Sequence, residues 1–422
     1  MTAAINLHQS RELDQAEEVY RWILEQYPKC PEALHFLGLL HHQRKQSDEA
    51  IRLIEQALLE APDYADAYNN LGNIYHMQCQ LEKAAECYRK TLNLNPGNTS
   101  AWNNLGIILK DLEQFDEAIE IFGKAIELMP DNPNFYRNLG NVHRNRGNFS
   151  EAVDAYRNTL RLRGYNAEDY DSLASMLYIL GQYDEALPVI QQWLAYDPQN
   201  PMALHRLAAF NGHRLNKASE EYITTVFDNF ASGFDYVLKN LDYKAPSLVA
   251  EAVEKLYGLT ESKILALDAG CGTGLCGPLV RTYAERLEGV DLSGKMLENA
   301  AKRECYDELI QAELVSFITS KKRCYHLIIS ADTLVYFGDL SPVCQAVAGA
   351  LKEGGHFVFT VERCDETLDE GFKINPHGRF SHTENYVRNV IACQLKLIDI
   401  RPVLLRYEVS QPVNGFLVIA TL

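Results

Sequence analysis

The chain has 422 residues, 47% of them hydrophobic and 23% charged, the make-up of an ordinary folded protein of two or three domains rather than a disordered or fibrous one. Its net charge of −17, with excess acids in both halves, argues against binding to nucleic acid, whose affinity comes mostly from neutralised phosphates. There is no apolar core near the N-terminus and no run of about 18 apolar residues, so neither a signal peptide nor a membrane span is expected, and the expected location is the cytoplasm.

From the N-terminus onward the sequence repeats itself. Leu-Gly occurs at 37/38, 71/72, 105/106 and 139/140, followed by Leu-Ala at 173/174 and 207/208, a period of 34. Alanine recurs at 16, 50, 84, 118, 152 and 186, and proline at 28, 62, 96, 130 and 198, with Gly164 in the missing slot. Small residues at the Gly38 and Ala50 types of position let two antiparallel helices approach closely, and the proline stops each second helix. The stretch "AYNNLGNIYHMQCQLEKAAECYRKTLNLNPGN" resembles a tetratricopeptide repeat, with about five full repeats over residues 31–200 and half-repeats at either end. The resemblance implies an all-α superhelix with a concave face. Asn70, Asn104 and Asn138 precede the Leu-Gly pairs of three consecutive repeats, an arrangement similar to the asparagine ladder in the repeats of O-linked N-acetylglucosamine transferase. Side-chain amides donate and accept at once, so the array is expected to hold an extended protein or peptide segment; a rigid spacer or a dimerisation surface is the plainer alternative.

The period fails after Asn211. In "YITTVFDNFASGFDYVLKNLDYKAP", Phe227, Phe230, Phe234, Val237, Leu238 and Leu241 fall at helical spacing and give one apolar face. Two readings stay open: packing between domains, or a lid over a ligand site, with Phe230, Tyr236 or Tyr243 touching the ligand. The expected division is repeats at 1–212, a helical junction and lid at 213–258, and a catalytic domain at 259–422.

From Ser262 strand and helix patterns alternate, predicting a doubly wound, mostly parallel α/β sheet. Seven strands are expected, at "KILALD", "RLEGVD", "LIQAEL", "YHLIIS", "HFVFTVE", "KLIDIRPVLLRYE" and "GFLVIATL", with helices near 275–285, 293–303, 339–351 and 382–393. Only "VSQPVN" separates the last two strands, so they should form a hairpin and the last strand should run reversed.

The first of these strands ends in "LDAGCGTG", where Asp268 precedes Gly270, Gly272 and Gly274. Gly270 permits the turn, Gly272 lets the backbone approach a ligand, and Gly274 lets the following helix start tightly. Asp291 ends the second strand, where a carboxylate can accept hydrogen bonds from a ribose diol. An acid before the first glycine repels a pyrophosphate and attracts a cation, which fits S-adenosyl-L-methionine better than a dinucleotide. "LDAGCGTG" with "GVDLSGKMLENA" resembles motifs of the class I, seven-stranded S-adenosylmethionine-dependent methyltransferases. That resemblance implies a cofactor site built from Asp268, Ala269, Gly270, Cys271, Gly272, Gly274 and Asp291. It adds Leu292 and Met296 against the adenosine, Ala312 beside the ring, and Glu313 on the adenine amino group where Asp is more usual, while Ser330 and Asp332 border cofactor and substrate. The order of repeats, "FDNFASGFD…LDYKAP" and this domain resembles predicted bacterial repeat-containing methyltransferases.

Methyl transfer needs alignment first, and a base only where the acceptor must lose a proton. His382 and Asp332 are candidate bases, and Arg379 is a candidate clamp for an acceptor carboxylate. Arg406 and Glu408, facing the same way on one strand, read as a structural pair. No acid cluster suggests a metal, and the ten cysteines, with no C-x-x-C pair, read as reduced thiols. The preferred function is a methyltransferase whose repeats recruit a protein or peptide. The alternatives are a methyltransferase acting on a small carboxylic acid or biosynthetic intermediate, with repeats used for assembly, and a non-catalytic repeat scaffold with a cofactor-sensing domain. The oligomeric state stays open.

Overall fold

The computed structural model describes residues 1–211, 215–258, 263–364, 368, 370–408 and 411–422. The chain forms two compact units, Met1–Leu180 and Gly181–Leu422. The division points expected at 212/213 and at 259 fall on residues outside the described ones.

The first unit consists of helices, from Thr2–Gln9 to Ala167–Ile179. Its core is a recurring notch. Gly38, Gly72, Gly106 and Gly140 face Ile54, Tyr88, Phe122 and Tyr156, and a Cβ on any of these glycines would come within 2.8 Å of its partner. All four partners are fully buried, each contributing about 1.5–3 kcal/mol of transfer free energy. Ala50, Ala84, Ala118 and Ala152 are buried as well, so the helices meet through small residues, as the period predicts. The expected stops hold: helices end at Gln26, Glu60, Leu94 and Leu128, two residues before Pro28, Pro62, Pro96 and Pro130. The pattern runs on into the second unit with the helices Tyr183–Tyr196 and Pro201–Phe210.

Among the described residues, the second unit is built on a nine-stranded sheet: β1 (Ile264–Ala269), β2 (Ala284–Asp291), β3 (Glu308–Gln311), β4 (Tyr325–Ser330), β5 (Leu351–Arg363), β6 (Phe372–Ile374), β7 (Phe380–His382), β8 (Lys396–Glu408) and β9 (Gln411–Thr421). The central order is β3-β2-β1-β4-β5, all parallel, and β9 runs antiparallel to both β5 and β8. The reversed last strand and its hairpin are therefore as expected. Alternate side chains serve opposite faces. Leu267, Ile328, Phe357, Phe359 and Val418 enter one core, while Ala266, Leu327, Ile329, Val358 and Leu417 enter the other with Val249 and Val253 of the helix Ala245–Tyr257.

Two departures from expectation bear on function. The helix expected at 275–285 is a single turn, Gly277–Val280, because β2 already begins at Ala284, paired with Ile264. Residues 372–382, where no strand was expected, form the β6–β7 hairpin, turning at "NPHG". Glu362 pairs with β9 on one edge and with Ser381 of β7 on the other, the edge that β4 occupies up to Phe359. The hairpin thus continues the sheet beyond the carboxyl end of β4, where ligands of such sheets bind.

Candidate active site

A cavity of about 360 Å³ opens at the carboxyl ends of β1, β2 and β4. The loop after β1 folds back over β2, with the Gly270 and Cys271 amides both donating to the Val290 carbonyl at 2.8 and 3.0 Å. Gly270 has φ +78°, and a Cβ there would lie 2.2 Å from the Thr333 side chain, so glycine is required for the turn. At Gly272 a Cβ would meet nothing within 4 Å, and its bare backbone lines the cavity. Gly274 does not line it; its Cα instead seats Tyr306, whose ring would be 2.9 Å from a Cβ.

Asp268 lines the cavity at 1% exposure, and its Oδ2 accepts from the Tyr306 hydroxyl at 2.6 Å. Burial pushes its pKa up to about 7; the Tyr306 hydrogen bond opposes the shift and the nearby Asp291 adds to it. A buried carboxyl with a neutral partner and a second acid close by fits a cation, and opposes a phosphate. Asp291 binds the two loops together: Oδ2 accepts from Gly272 N and Oδ1 from Ser293 N, both at 2.9 Å. Each oxygen keeps a second lone pair for the cavity. Leu292, Ala312 and Glu313 complete this end. Glu313 also caps the helix Leu314–Ser320, accepting from Ser316 N at 2.7 Å.

Overhead, the single helix suggested by the apolar spacing is broken at Ala231–Gly233 into Glu220–Phe230 and Phe234–Asn240. All six apolar residues of that face, from Phe227 to Leu241, line the cavity, as does Tyr243. Tyr236 points away at 68% exposure. Sequence patterns do not show how this roof is pinned to the glycine loop and its neighbour. Ser293 Oγ donates to Asp228 and Thr273 Oγ1 to Asp235, each at 2.5 Å, and Asn299 Nδ2 donates to the Ala231 carbonyl at 2.9 Å.

The far end of the cavity carries Asp332, Arg379, Arg406, Glu408, Tyr243 and Tyr336. Arg406 donates from Nη1 to Asp332 at 2.6 Å, from Nε to Glu408 at 2.7 Å and from Nη2 to Glu362. Arg379 donates from Nε to Glu362 at 2.7 Å and from Nη2 to Glu408 at 2.6 Å. Arg406 and Glu408 are thus the pair expected from their spacing, embedded in a larger network.

Several expected site residues are placed differently. Arg379 reaches the cavity, but its guanidinium is committed to Glu362 and Glu408, so it is not the open carboxylate clamp expected. His382 lies in β7 and is fully buried away from the cavity wall, its Nε2 donating to the Gly338 carbonyl at 3.0 Å and its ring against Tyr386 and Phe372. Burial pulls its pKa down to about 4, so the general base expected there is a neutral core histidine. Thr383, next to it, caps the helix Glu384–Ala392. Met296 is fully buried behind the wall, and the Ser330 hydroxyl ties β4 to β1 by donating to the Ala269 carbonyl at 2.8 Å, so neither residue lines the cavity. In the repeats, the Asn70, Asn104 and Asn138 amides already reach across to the preceding repeat, at His35 Nε2 (3.0 Å), Asn73 Oδ1 (3.0 Å) and Asn103 Oδ1 (2.7 Å).

Among the described residues no group of three or more His, Cys, Asp or Glu side chains could hold a metal ion, and no helix is long and apolar enough to cross a membrane.

A helical repeat array followed by this sheet defines a tetratricopeptide-type repeat protein with a C-terminal methyltransferase domain, and residues 267–359 match the family model of a methyltransferase domain. Residues 13–231, more than half the chain, match the model of the cilia and flagella-associated protein 70 C-terminal domain, and the chain belongs to that family. Solved structures similar to the chain include MamA (24% identity over 38% of this chain and 94% of that one, TM-score 0.36). PilF of Pseudomonas aeruginosa is 19% identical over 49% of this chain and 94% of that one, with a TM-score of 0.41. YrrB, described as a TPR protein with an unusual peptide-binding site, is 20% identical over 45% of this chain and 97% of that one, with a TM-score of 0.40. No curated protein matches the chain.

Proposed function

We propose that the protein is an S-adenosyl-L-methionine-dependent methyltransferase acting in the cytoplasm, with residues 1–212 recruiting a protein or peptide, 213–258 covering the site and 259–422 carrying out the transfer. The observation that carries the cofactor reading is Asp268, a buried carboxyl that accepts from the neutral Tyr306 hydroxyl beside the bare Gly272 backbone. When bound, the cofactor supplies a methyl group already activated on a sulfonium. Asp268 would hold its ammonium, Asp291 and the Gly272 backbone its ribose, and Leu292, Ala312 and Glu313 its adenine. Phe227, Phe234 and Tyr243 exclude water from the reacting centre, and this chain's main contribution to rate is alignment, which can supply about 7–11 kcal/mol of the barrier. Isothermal titration with S-adenosylhomocysteine and with NAD tests the reading directly: micromolar binding of the first and none of the second is expected, and the reverse order overturns it.

A second reading, in which the acceptor is a small molecule and the repeats serve assembly, is favoured by one observation: the Asn70, Asn104 and Asn138 amides are already engaged between repeats. Labelled S-adenosyl-L-methionine in a lysate of the source cells distinguishes the two, by whether the methyl label enters protein or small molecules.

A further inference from the structure

The Asp332 end of the cavity is unusual in charge and in what it leaves unsatisfied. Three carboxylates, those of Asp332, Glu362 and Glu408, meet two guanidinium groups, and the neighbouring His377 is held neutral by burial, with a pKa near 4. With all three carboxylates ionised, the cluster carries one negative charge in excess. All three nitrogens of the Arg406 guanidinium donate to carboxylates, and Arg379 gives Nε to Glu362 and Nη2 to Glu408, so an incoming anion meets two guanidinium groups that already hold carboxylates. The hydrogen-bonding deficit lies on the acceptor side: Asp332 Oδ1 is buried and has no partner among the described residues, whereas Oδ2 is taken by Arg406. Leaving such an oxygen bare is unfavourable, most of all for a charged group.

The backbone at Asp332 departs from ordinary geometry as well. Its φ is +56°, a left-handed conformation that few residues other than glycine, asparagine and aspartate adopt readily, and its amide is held there by donating to Thr360 Oγ1 at 2.8 Å. This bend sits at the tip of β4, in the cavity wall. Burial raises the Asp332 carboxyl against the pull of Arg406, which makes Oδ1 a better proton acceptor than an exposed carboxylate.

Taking the methyltransferase reading above as given, we infer that the methyl acceptor is an amine, held by an N–H donated to Asp332 Oδ1, and not a carboxylic acid. The nitrogen lone pair forms the new N–C bond as the S–C bond breaks. The sulfur keeps the electron pair of the broken bond and becomes a neutral thioether, and the displaced N–H proton passes to Asp332 Oδ1. Tyr243, Tyr336 and Phe227 give this end an aromatic wall around the nitrogen, with the Phe227 and Tyr336 rings edge to face at 5.4 Å.

The test uses the full chain and two probes of one shape, benzylamine and benzoate, titrated with and without S-adenosylhomocysteine. Benzylamine is expected to bind at least tenfold more tightly than benzoate, and Asp332→Asn, which tolerates the same φ, to lose at least tenfold in benzylamine affinity; its S-adenosylhomocysteine titration shows whether its fold is intact. Benzoate binding as well as or better than benzylamine overturns the inference, whether or not the variant folds. An Asp332→Asn protein that keeps its benzylamine affinity overturns it too. If the wild-type chain ignores S-adenosylhomocysteine yet prefers benzylamine through Asp332, the cofactor reading fails while the inference about this end of the cavity stands.

Discussion

In the repeats, Gly106 receives the Phe122 ring from one helix further on, and the Asn104 amide reaches Asn73 across 31 residues. In the sheet unit, Asp268 meets Tyr306 across 38 residues and Arg406 meets Asp332 across 74. The first kind of contact is set by a period, and the glycine notch recurs at Gly38, Gly72 and Gly140; the second is made once, by a topology that brings distant strand tips together. Damage to a repeat should therefore stay local and structural, whereas damage at the strand tips should be felt in ligand binding with the fold intact.

Gly270→Val should show the largest effect. It places a branched side chain at φ +78° against Thr333, and S-adenosylhomocysteine affinity is expected to fall more than 100-fold by calorimetry while circular dichroism stays native. In the repeats, Phe122→Ala empties the notch at Gly106 and should cost about 3–5 kcal/mol of stability, read by denaturant unfolding. If that variant also loses cofactor affinity, the contrast between local and assembled contacts is wrong.

The pH dependence sharpens the picture of the glycine-loop end. Because the Asp268 pKa is raised to about 7, the free site is partly protonated at neutral pH, and a cation binds the ionised form. Affinity for S-adenosyl-L-methionine should be full above pH 7 and fall by up to tenfold per unit below it, with proton release on binding near neutrality. Stability of the unliganded protein should move the opposite way. A carboxyl raised above its unfolded value stabilises the fold at low pH, and that contribution is lost as pH rises through about 7. Thermal unfolding with and without ligand across pH 5–9 checks both signs. The smallest effect is expected for Asn70, Asn104 and Asn138 changed together to Ala: a severalfold loss of turnover on a protein acceptor, with cofactor affinity unchanged. Unaltered turnover would remove the recruitment role.

Much of this was legible in the amino-acid order. The 34-residue spacing of Gly38, Gly72 and Gly106 encodes the helix pairs, because a missing Cβ admits one large side chain at a fixed distance along the chain. Asp268, Gly270, Gly272 and Asp291 mark the ligand end of the sheet, since a strand followed by a glycine turn has few other uses. His382 and Arg379 were misjudged for a shared reason. Their residue types suit catalysis, but the β6–β7 hairpin turns His382 into the core and gives Arg379 two carboxylate partners. The "NPHG" turn between alternating residues was the available signal for that hairpin.

The sequence by itself determined the repeat, the parallel sheet with its reversed last strand, and the acid beside the glycine turn, because each depends on spacing along the chain or on the conformational range of one residue. Only the tertiary structure decided which ionisable groups are buried, which are already paired, and which oxygen, Asp332 Oδ1, has no donor among the described residues. Burial and pairing depend on what lies across the cavity, and there the neighbours come from β4, β5, β7 and β8, strands whose meeting no local pattern records.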